Sequence, residues 1–327
     1  AMGQISTLLK AVIATSLTMQ ALLAMMFLPR FLAMGIDPVG AVWDAVFMAI
    51  SVFNNAGFVI LPEGLAPHVT DWWMLIPIIL GTTVGAIGFP VIMDVAKNLR
   101  SPRRWRLHTK LTLATYLILA FVGALALALT EWHNPATLGS IDTPSKILNA
   151  MLAGVNSRSS GLSALDVGAM QSQTHFVQDI LMMIGGGSAS TAGGVKVTTF
   201  AVLVLAVIAE ARGDRDIETF GRRIPTSTVR LAVAVSLLGL ALVAISVVAL
   251  LTMTDHSLDI ILFETVSAFA TVGLSTGITP NLPVAAKYVL IALMFAGRTG
   301  SMTVAAALAL RERSRVIRMP EEQPIIG

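Results

Sequence analysis

Three glycines, each following small or polar residues, are the positions in this sequence best suited to binding an ion. Gly57, Gly161 and Gly273 each end a short apolar stretch, and they are separated by 104 and 112 residues. Glycine allows positive backbone φ angles, so consecutive carbonyl oxygens can point in one direction. A ring of such carbonyls can replace the hydration shell of a cation. The spacing therefore predicts a cation pathway lined by backbone oxygens.

Each candidate loop consists of one glycine and the two residues before it. The predicted ion ligands are the backbone carbonyls of Asn55, Ala56 and Gly57, of Ser159, Ser160 and Gly161, and of Thr271, Val272 and Gly273. The alternative is that the glycines only allow helices to pack closely, as small residues do in membrane bundles. Three glycines at a matched offset favour ion binding over that alternative.

A glycine-rich loop, residues 185–194, interrupts another apolar segment. Each glycine costs a helix about 1 kcal/mol relative to alanine, so five glycines within these ten positions prevent a continuous helix. Irregular backbone at membrane depth is tolerated only where it is buried in protein or lines a cavity. The predicted gate residues are Gly185, Gly186, Gly187, Ser188, Ser190, Thr191, Gly193 and Gly194, together with Lys196 and Arg298. The alternatives are a static kink and a phosphate-binding loop, whose residue pattern is not matched.

Charged residues inside apolar segments are costly and usually functional. Arg298 lies in the middle of the last such segment, where the alternative is a buried ion pair with a carboxylate such as Glu264. Arg158 precedes a candidate loop and is expected to support it through hydrogen bonds to nearby carbonyls. Lys196 lies at the inner end of the glycine-rich loop or extends to the membrane interface. Glu264 is expected to brace its helix rather than to bind the ion.

The elements that must position these residues are membrane helices. Hydrophobic residues make up 55 % of the chain and charged residues 13 %, about half the charged share of a soluble domain. Apolar segments of about 20 residues can cross a bilayer. Six such spans are predicted: Leu8–Leu28, Trp72–Val95, Leu111–Thr130, His175–Ala209 (interrupted), Val229–Thr252 and Val284–Leu310. Three shorter segments are predicted to be re-entrant pore helices: Trp43–Gly57, Lys146–Gly161 and Leu258–Gly273.

Lysine and arginine mark the cytoplasmic side of membrane proteins. They concentrate in the segments 97–110 and 211–230 and in the tail Arg311–Gly327, whereas the opposite loops are mostly acidic. All three pore helices then enter from outside, so the repeats are parallel and related by an axis along the membrane normal. The predicted repeats are repeat A (1–100), repeat B (101–213) and repeat C (214–327).

Three repeats are one fewer than the four loops of a potassium-selective ring. The simplest expectation is that these are the second, third and fourth units and that a first unit of about 100 residues is absent from this sequence. A chain of only three repeats is the alternative. The sequence has no cysteine, and no histidine–carboxylate spacing typical of a metal site lies within a span. The sequence therefore predicts that the protein is not an enzyme.

Four motifs in this order resemble the Trk/Ktr/HKT superfamily of potassium transporters, and most closely its Ktr-type membrane subunit. They are residues 53–58 (FNNAGF), 157–162 (SRSSGL), 185–196 (GGGSASTAGGVK) and 264–274 (ETVSAFATVGL). The resemblance runs from Leu8 to Gly327. The family commonly has TRTAGF where this sequence has SRSSGL, and the glycine is kept.

The resemblance implies an all-α polytopic membrane protein with pore helices around a pseudo-fourfold pore. It implies K+ as the selected ion, because a serine in place of a filter glycine goes with Na+ permeation in this superfamily; Na+ as a second ion is left open. Residues 185–194 would be a mobile intramembrane loop that blocks ions, and Arg298 would repel cations and hydrogen-bond that loop. The implied setting is a bacterial inner membrane, with a homodimer that has C-termini in its interface and a cytoplasmic nucleotide-binding ring (KtrA-like).

The predicted function is thus the potassium-translocating membrane subunit of an uptake system. The alternative is a secondary active cation symporter that alternates access around a broken helix. Such carriers often contain inverted repeats, whereas the loop charges here indicate parallel ones.

Overall fold

A computed structural model describes residues 2–300, and it describes side chains from residue 9 to residue 299. Within that range the chain is mostly helical, with one short β-hairpin. The predicted fold class, a helical membrane protein, is confirmed. The inner end of the last predicted span and the tail Arg311–Gly327 lie outside the described residues.

The helices follow the order of the three predicted repeats. Repeat A contains α1 (Met2–Ala33), α2 (Pro38–Phe53), α3 (Trp72–Ile87) and α4 (Phe89–Lys97). Repeat B contains α5 (Leu107–Glu131), α6 (Thr143–Asn156), α7 (Ser172–Met183) and α8 (Val197–Arg212). Repeat C contains β1 (Ile217–Thr219), β2 (Arg222–Ile224), α9 (Thr226–Met253), α10 (Leu258–Phe269) and α11 (Val284–Phe295), which leads into a π-helical turn at Ala296–Gly300. The hairpin of β1 and β2 is not predicted by the sequence pattern.

Two of the three pore helices α2, α6 and α10, namely α2 and α6, begin at aspartates that cap them. Asp37 accepts a hydrogen bond from the backbone N–H of Gly40 at 3.0 Å, and Asp142 accepts one from Ser145 at 3.4 Å. Both helices carry proline in their first turn, where the missing N–H does no harm. The helices contain 16, 14 and 12 residues, so they are too short to cross a hydrocarbon core of about 30 Å.

The pore helices pack in the same way from one repeat to the next. Each lies against the helix that precedes it, α2 on α1, α6 on α5 and α10 on α9. Two of them also lie against the preceding repeat, α6 on α3 and α10 on α7. The same contacts therefore recur from one predicted repeat to the next.

Three described helices are individually long and apolar enough to cross a membrane: Leu9–Ala33, Leu107–Glu131 and Thr226–Met253. A fourth would be the bent pair of α3 and α4. The predicted span 175–209 is interrupted as expected, because α7 and α8 flank the glycine-rich loop.

The prediction of one continuous span over Trp72–Val95 is wrong. The axes of α3 and α4 differ by 96°, and the bend lies at Gly88, which has a φ of 96°. Pro90 then occupies the first turn of α4 and cannot continue the hydrogen bonding of α3. The glycine-rich loop packs against this bend, since the Phe89 N–H donates to the Ala189 carbonyl at 3.3 Å.

Candidate functional site

The three candidate loops follow the C-terminal ends of α2, α6 and α10 and lie side by side. A methyl group on Gly57 would lie 2.5 Å from the Ser160 carbonyl oxygen. A methyl group on Gly161 would lie 2.3 Å from the Val272 carbonyl oxygen. The Gly57 loop (Asn55–Gly57) therefore contacts the Gly161 loop (Ser159–Gly161), which contacts the Gly273 loop (Thr271–Gly273). The structure thus brings the nine predicted ligand residues together.

The carbonyl groups of these nine residues accept no hydrogen bond from the described part of the chain. No hydrogen bond in the described part of the chain ends on the carbonyl oxygens of residues 55–57, 159–161 or 271–273. Four of these residues are buried, namely Asn55, Ser159, Ser160 and Val272, and buried backbone carbonyls are nearly always hydrogen-bonded in folded proteins. Adjacent peptide oxygens without donors are the arrangement that a dehydrated cation requires.

The next carbonyl after each glycine is, by contrast, held by a side chain of the pore helix. Ser51 Oγ donates to the Phe58 carbonyl at 2.7 Å, and Ser267 Oγ donates to the Leu274 carbonyl at 2.6 Å. Asn156 Nδ2 donates to the Leu162 carbonyl at 2.5 Å. We call these three side chains the struts. Sequence reasoning missed them, although aligning the loops on their glycines would have placed a serine six residues, or an asparagine five residues, before each glycine.

The Gly57 and Gly273 loops end their pore helices with the same backbone motif. The Ala56 N–H donates to the Ser51 carbonyl, and the Val272 N–H donates to the Ser267 carbonyl. These bonds, together with left-handed residues at Asn55 (φ 52°) and Thr271 (φ 50°), form a Schellman C-cap. The glycine two residues later also has positive φ, 76° at Gly57 and 96° at Gly273.

The Gly161 loop is built differently. Only Gly161, with a φ of 64°, is left-handed there. The Asn156 carbonyl accepts hydrogen bonds from the N–H groups of Ser159, Ser160 and Gly161, at 3.2, 3.3 and 3.4 Å. Residues 155–160 are all buried, whereas Ala56 and Gly273 in the other loops are exposed.

Arg158, next to the Gly161 loop, has its hydrogen-bond partners outside the predicted ligand residues. Its side chain is fully buried and lies 4.3 Å from the centre of the Tyr116 ring. Nη1 donates to the Tyr116 carbonyl at 3.1 Å, and Nη2 donates to the Gly185 carbonyl at 3.5 Å. The expected hydrogen bonds to carbonyls are therefore present, and one of them ends on the glycine-rich loop.

The glycine-rich loop is tightly packed beneath these residues. The Gly187 N–H donates to the Ala86 carbonyl at 2.7 Å, and the Thr191 N–H donates to the Gly85 carbonyl at 3.3 Å. A methyl group on Gly185 would lie 1.9 Å from the Gly193 carbonyl oxygen, and one on Gly187 would lie 2.3 Å from the Ile87 carbonyl oxygen. Glycine is thus required at these positions because backbone segments touch.

The glycine-rich loop contacts the Gly57 and Gly273 loops directly and the Gly161 loop through the adjacent Arg158. Asn55 Nδ2 donates to Thr191 Oγ1 at 2.6 Å, and Thr191 Oγ1 donates to the Gly85 carbonyl at 3.0 Å. Arg158 reaches Gly185, as described above. A methyl group on Gly193 would lie 2.0 Å from Thr271 Oγ1. Movement of residues 185–194 would therefore disturb contacts with the Gly57 and Gly273 loops and with Arg158.

The other charged candidates also meet this region, although in different ways. Arg298, on the exposed π-helical turn, donates from Nη1 to the Thr191 carbonyl. Lys196 Nζ folds back onto the loop and donates to the Ala192 carbonyl at 2.6 Å. Ser190 Oγ donates to the Gly187 carbonyl at 2.6 Å, and Ser188 Oγ lies 3.2 Å from Thr198 Oγ1 on α8.

Glu264, considered above as an ion-pair partner for Arg298, has other partners. It accepts hydrogen bonds from the hydroxyls of Ser275, Thr276 and Thr279 at 2.8, 2.9 and 2.7 Å, and from the Thr276 N–H at 2.7 Å. The carboxylate therefore braces the chain that follows the Gly273 loop. Within residues 2–300, no cluster of three or more His, Cys, Asp or Glu side chains could hold a metal ion.

Residues 1–317 match the protein family described as "TrkH: Cation transport protein", and the chain belongs to that family. The family and the long apolar helices together identify a multi-pass membrane protein. The chain is 40 % identical over 284 residues to the Ktr system potassium uptake protein B of Bacillus subtilis (strain 168), covering 86 % of this chain and 63 % of that protein. It is 33 % identical over 313 residues to the potassium/sodium uptake protein NtpJ of Enterococcus hirae, covering 93 % of this chain and 67 % of that protein.

The structure resembles the crystal structure of the potassium transporter TrkH from Vibrio parahaemolyticus. The TM-score is 0.73, the sequence identity is 17 %, and the match covers 94 % of this chain and 65 % of the other. At this identity the likeness concerns the fold alone. The chain thus spans about two thirds of the length of these relatives.

Proposed function

We propose that this protein is the potassium-translocating membrane subunit of a bacterial Ktr/Trk-type uptake system. The observation that supports this best is the set of nine neighbouring peptide carbonyls that have no donor among residues 2–300, each group followed by a carbonyl that a strut holds. Such oxygens can replace the water ligands of K+. The matched relatives named for potassium uptake support the same ion.

The proposed filter selects K+ over Na+ by the geometry of its backbone carbonyls. The carbonyl oxygens of the Gly57, Gly161 and Gly273 loops bind the ion, and the struts keep those loops in place. The C-terminal, partly negative ends of α2, α6 and α10 point toward the same place and favour a cation there. K+ is the preferred ion because all three glycines are present, and the relative named for potassium and sodium uptake makes Na+ the competitor to measure.

The glycine-rich loop is the proposed gate. It is bonded to Asn55, Arg158 and Arg298 and touches Thr271, so in this conformation it obstructs the path next to the filter. Opening would require these contacts to break. The positive charge of Arg298 would add an electrostatic barrier to cations in the closed state.

The proposed orientation places the basic segments 97–110 and 211–230 in the cytoplasm, in accord with the positive-inside rule. A cytoplasmic nucleotide-binding ring would then dock on the face that carries these segments, and two copies of the chain would form the membrane dimer. The role is transport in a bacterial inner membrane, without catalysis. The recurrence of the same contact, α6 on α3 and α10 on α7, supports a channel-like path over a carrier with inverted repeats.

Flux through proteoliposomes tests this proposal. We expect fast K+ flux that exceeds Na+ flux, and we expect a variant with residues 185–194 shortened to show higher basal K+ flux. The matched control is an equal shortening of the exposed hairpin turn at Phe220–Gly221, which should leave basal flux unchanged. Slow, saturable flux that depends on a second ion would instead support the symporter.

A further inference from the structure

Two small cavities lie behind the Gly161 loop, away from the proposed ion path. One is enclosed by α5, α6 and α7, and the other by α6, α7 and the chain that follows the Gly161 loop. Each has a volume of about 10 Å³. Ala153, Ser157 and Gln178 line both cavities, so the two are neighbours.

Polar atoms without partners belong to the residues that line these cavities. They are Asn149 Oδ1, Asn156 Oδ1, Ser157 Oγ and Gln178 Oε1, and none has a hydrogen-bond partner within the described residues. Their residues are 1 %, 1 %, 0 % and 4 % exposed. Leaving a buried polar atom without a partner destabilises a folded protein, so a concentration of four here requires an explanation.

The size and chemistry of the cavities fit one kind of ligand. A water molecule needs about 10–15 Å³ of accessible volume and two to four polar partners. Three of the four atoms are amide oxygens, which can only accept hydrogen bonds, and the fourth is a hydroxyl, which can donate or accept. Water supplies two donors and two acceptors.

We propose that each cavity binds one water molecule and that the pair positions the Gly161 loop. The waters donate to the oxygens of Asn149, Asn156 and Gln178 and hydrogen-bond with the Ser157 hydroxyl. Asn156 is also the strut of this loop and accepts its three backbone N–H groups. The waters therefore connect α7 to the residue that holds the loop. The positioning role rests on the proposed function as a filter, whereas the presence of the waters does not.

The sign of a change in melting temperature distinguishes filled from empty cavities. If the cavities are empty, Ser157→Ala and Gln178→Met each remove an unpartnered polar atom and raise the melting temperature. If waters are bound, each substitution removes a partner of the water and lowers it by about 2 °C or more. Thr82→Val is the matched control, because the Thr82 hydroxyl is also buried without a partner among the described residues and lines neither cavity. It should not lower the melting temperature.

A density map of the unaltered protein at a resolution that shows ordered water provides a second measurement that does not depend on the stability of variants. We expect one peak in each cavity, present in both K+ and Na+ buffers. Two empty cavities, or a peak that gains anomalous signal in Rb+, would overturn the assignment to water.

The positioning role is tested by the ratio of K+ to Na+ flux. Ser157→Ala should lower that ratio several-fold, and Thr82→Val should not change it. An unchanged ratio in Ser157→Ala, together with a lowered melting temperature, would show that the waters do not position the filter. If the unaltered protein does not discriminate between K+ and Na+, the proposed function fails, and the density map still decides whether the waters are present.

Discussion

The Gly161 loop and the two loops beside it reach the same place by different means. The Gly57 and Gly273 loops are shaped by their own backbone, through a left-handed residue two positions before the glycine and a Schellman bond. The Gly161 loop has neither feature. It is held from behind by Asn156, by the buried Arg158 and by contacts with both neighbouring loops.

The difference shows how equivalent carbonyls can be aligned from unlike sequences. In the two loops with a Schellman motif, a serine six residues before the glycine reaches the carbonyl that follows the glycine. In the Gly161 loop, which lacks that motif, the strut is a longer asparagine five residues before the glycine. The Gly161 loop should consequently depend more on its surroundings, and the other two more on their local conformation.

The largest effect is expected from adding a side chain at the glycines. Gly161→Ser would place its Cβ 2.3 Å from the Val272 carbonyl oxygen, whereas Gly273→Ser would meet no atom closer than 3.8 Å and suffers only from its positive φ. We expect Gly161→Ser to lower the ratio of K+ to Na+ flux more than tenfold and Gly273→Ser to lower it less. Equal effects in proteoliposome flux would contradict the difference in crowding.

The second-largest effect is expected from removing Arg158, which should destabilise the Gly161 loop and not the other two. Arg158→Ala deletes a fully buried side chain, and we expect it to lower the free energy of unfolding by about 2–5 kcal/mol. Arg158→Lys should not restore stability, because one ammonium cannot bond both Tyr116 and Gly185 as the guanidinium does.

The control occupies the equivalent position in the Gly57 loop. Asn54 only caps its own helix by donating to the Ile50 carbonyl, so Asn54→Ala should change stability by about 0.5 kcal/mol or less. Thermal unfolding in detergent measures both variants, and similar losses would remove the proposed dependence of the Gly161 loop on its surroundings.

The struts provide a smaller effect. Ser51→Ala and Ser267→Ala each remove the hydrogen bond to the carbonyl that follows the glycine, worth about 1 kcal/mol, and should lower the ratio of K+ to Na+ flux about fivefold. The effect should be greater at Ser267, because its hydroxyl also accepts from the Gly273 N–H at 3.2 Å.

Asn156 distinguishes the two kinds of strut. Asn156→Ser should behave like Asn156→Ala, since a serine at this position is too short to reach the Leu162 carbonyl. Recovery of the flux ratio in Asn156→Ser would mean that side-chain length is unimportant there.

The smallest effect is expected where the Gly57 loop meets the glycine-rich loop. Thr191→Val removes the hydroxyl that Asn55 and Gly85 share and should raise basal K+ flux about two- to fivefold. Thr191→Ser keeps the hydroxyl and serves as the control. If valine and serine at this position gave the same basal flux, this contact would not hold the gate.

Part of this arrangement could be predicted from the sequence. Short apolar segments after Asp37 and Asp142 predict capped helices too short to span, and the recurring glycines indicate where they end. The packed position of the glycine-rich loop follows from backbone hydrogen bonds to Gly85 and Ala86, which no local pattern encodes.

Other features depend on tertiary contacts. The Schellman cap at Thr271 has no local signal, because threonine rarely adopts left-handed φ, whereas asparagine, as at Asn55, adopts it more often. The bend at Gly88 was missed although glycine two residues before Pro90 is a local signal for it. The hydrogen-bond partners of Glu264 lie in the chain that folds back after the Gly273 loop. The sequence therefore could not show whether Glu264 pairs with Arg298.

The most direct test of the central claim is the position of a bound ion. Anomalous scattering from crystals grown in Rb+, a heavy substitute for K+, would locate the ion relative to the three loops. We predict a peak between the carbonyl oxygens of residues 55–57, 159–161 and 271–273. A peak ligated by side chains, or no peak between these loops in crystals that bind Rb+ elsewhere, would contradict a filter built from backbone oxygens.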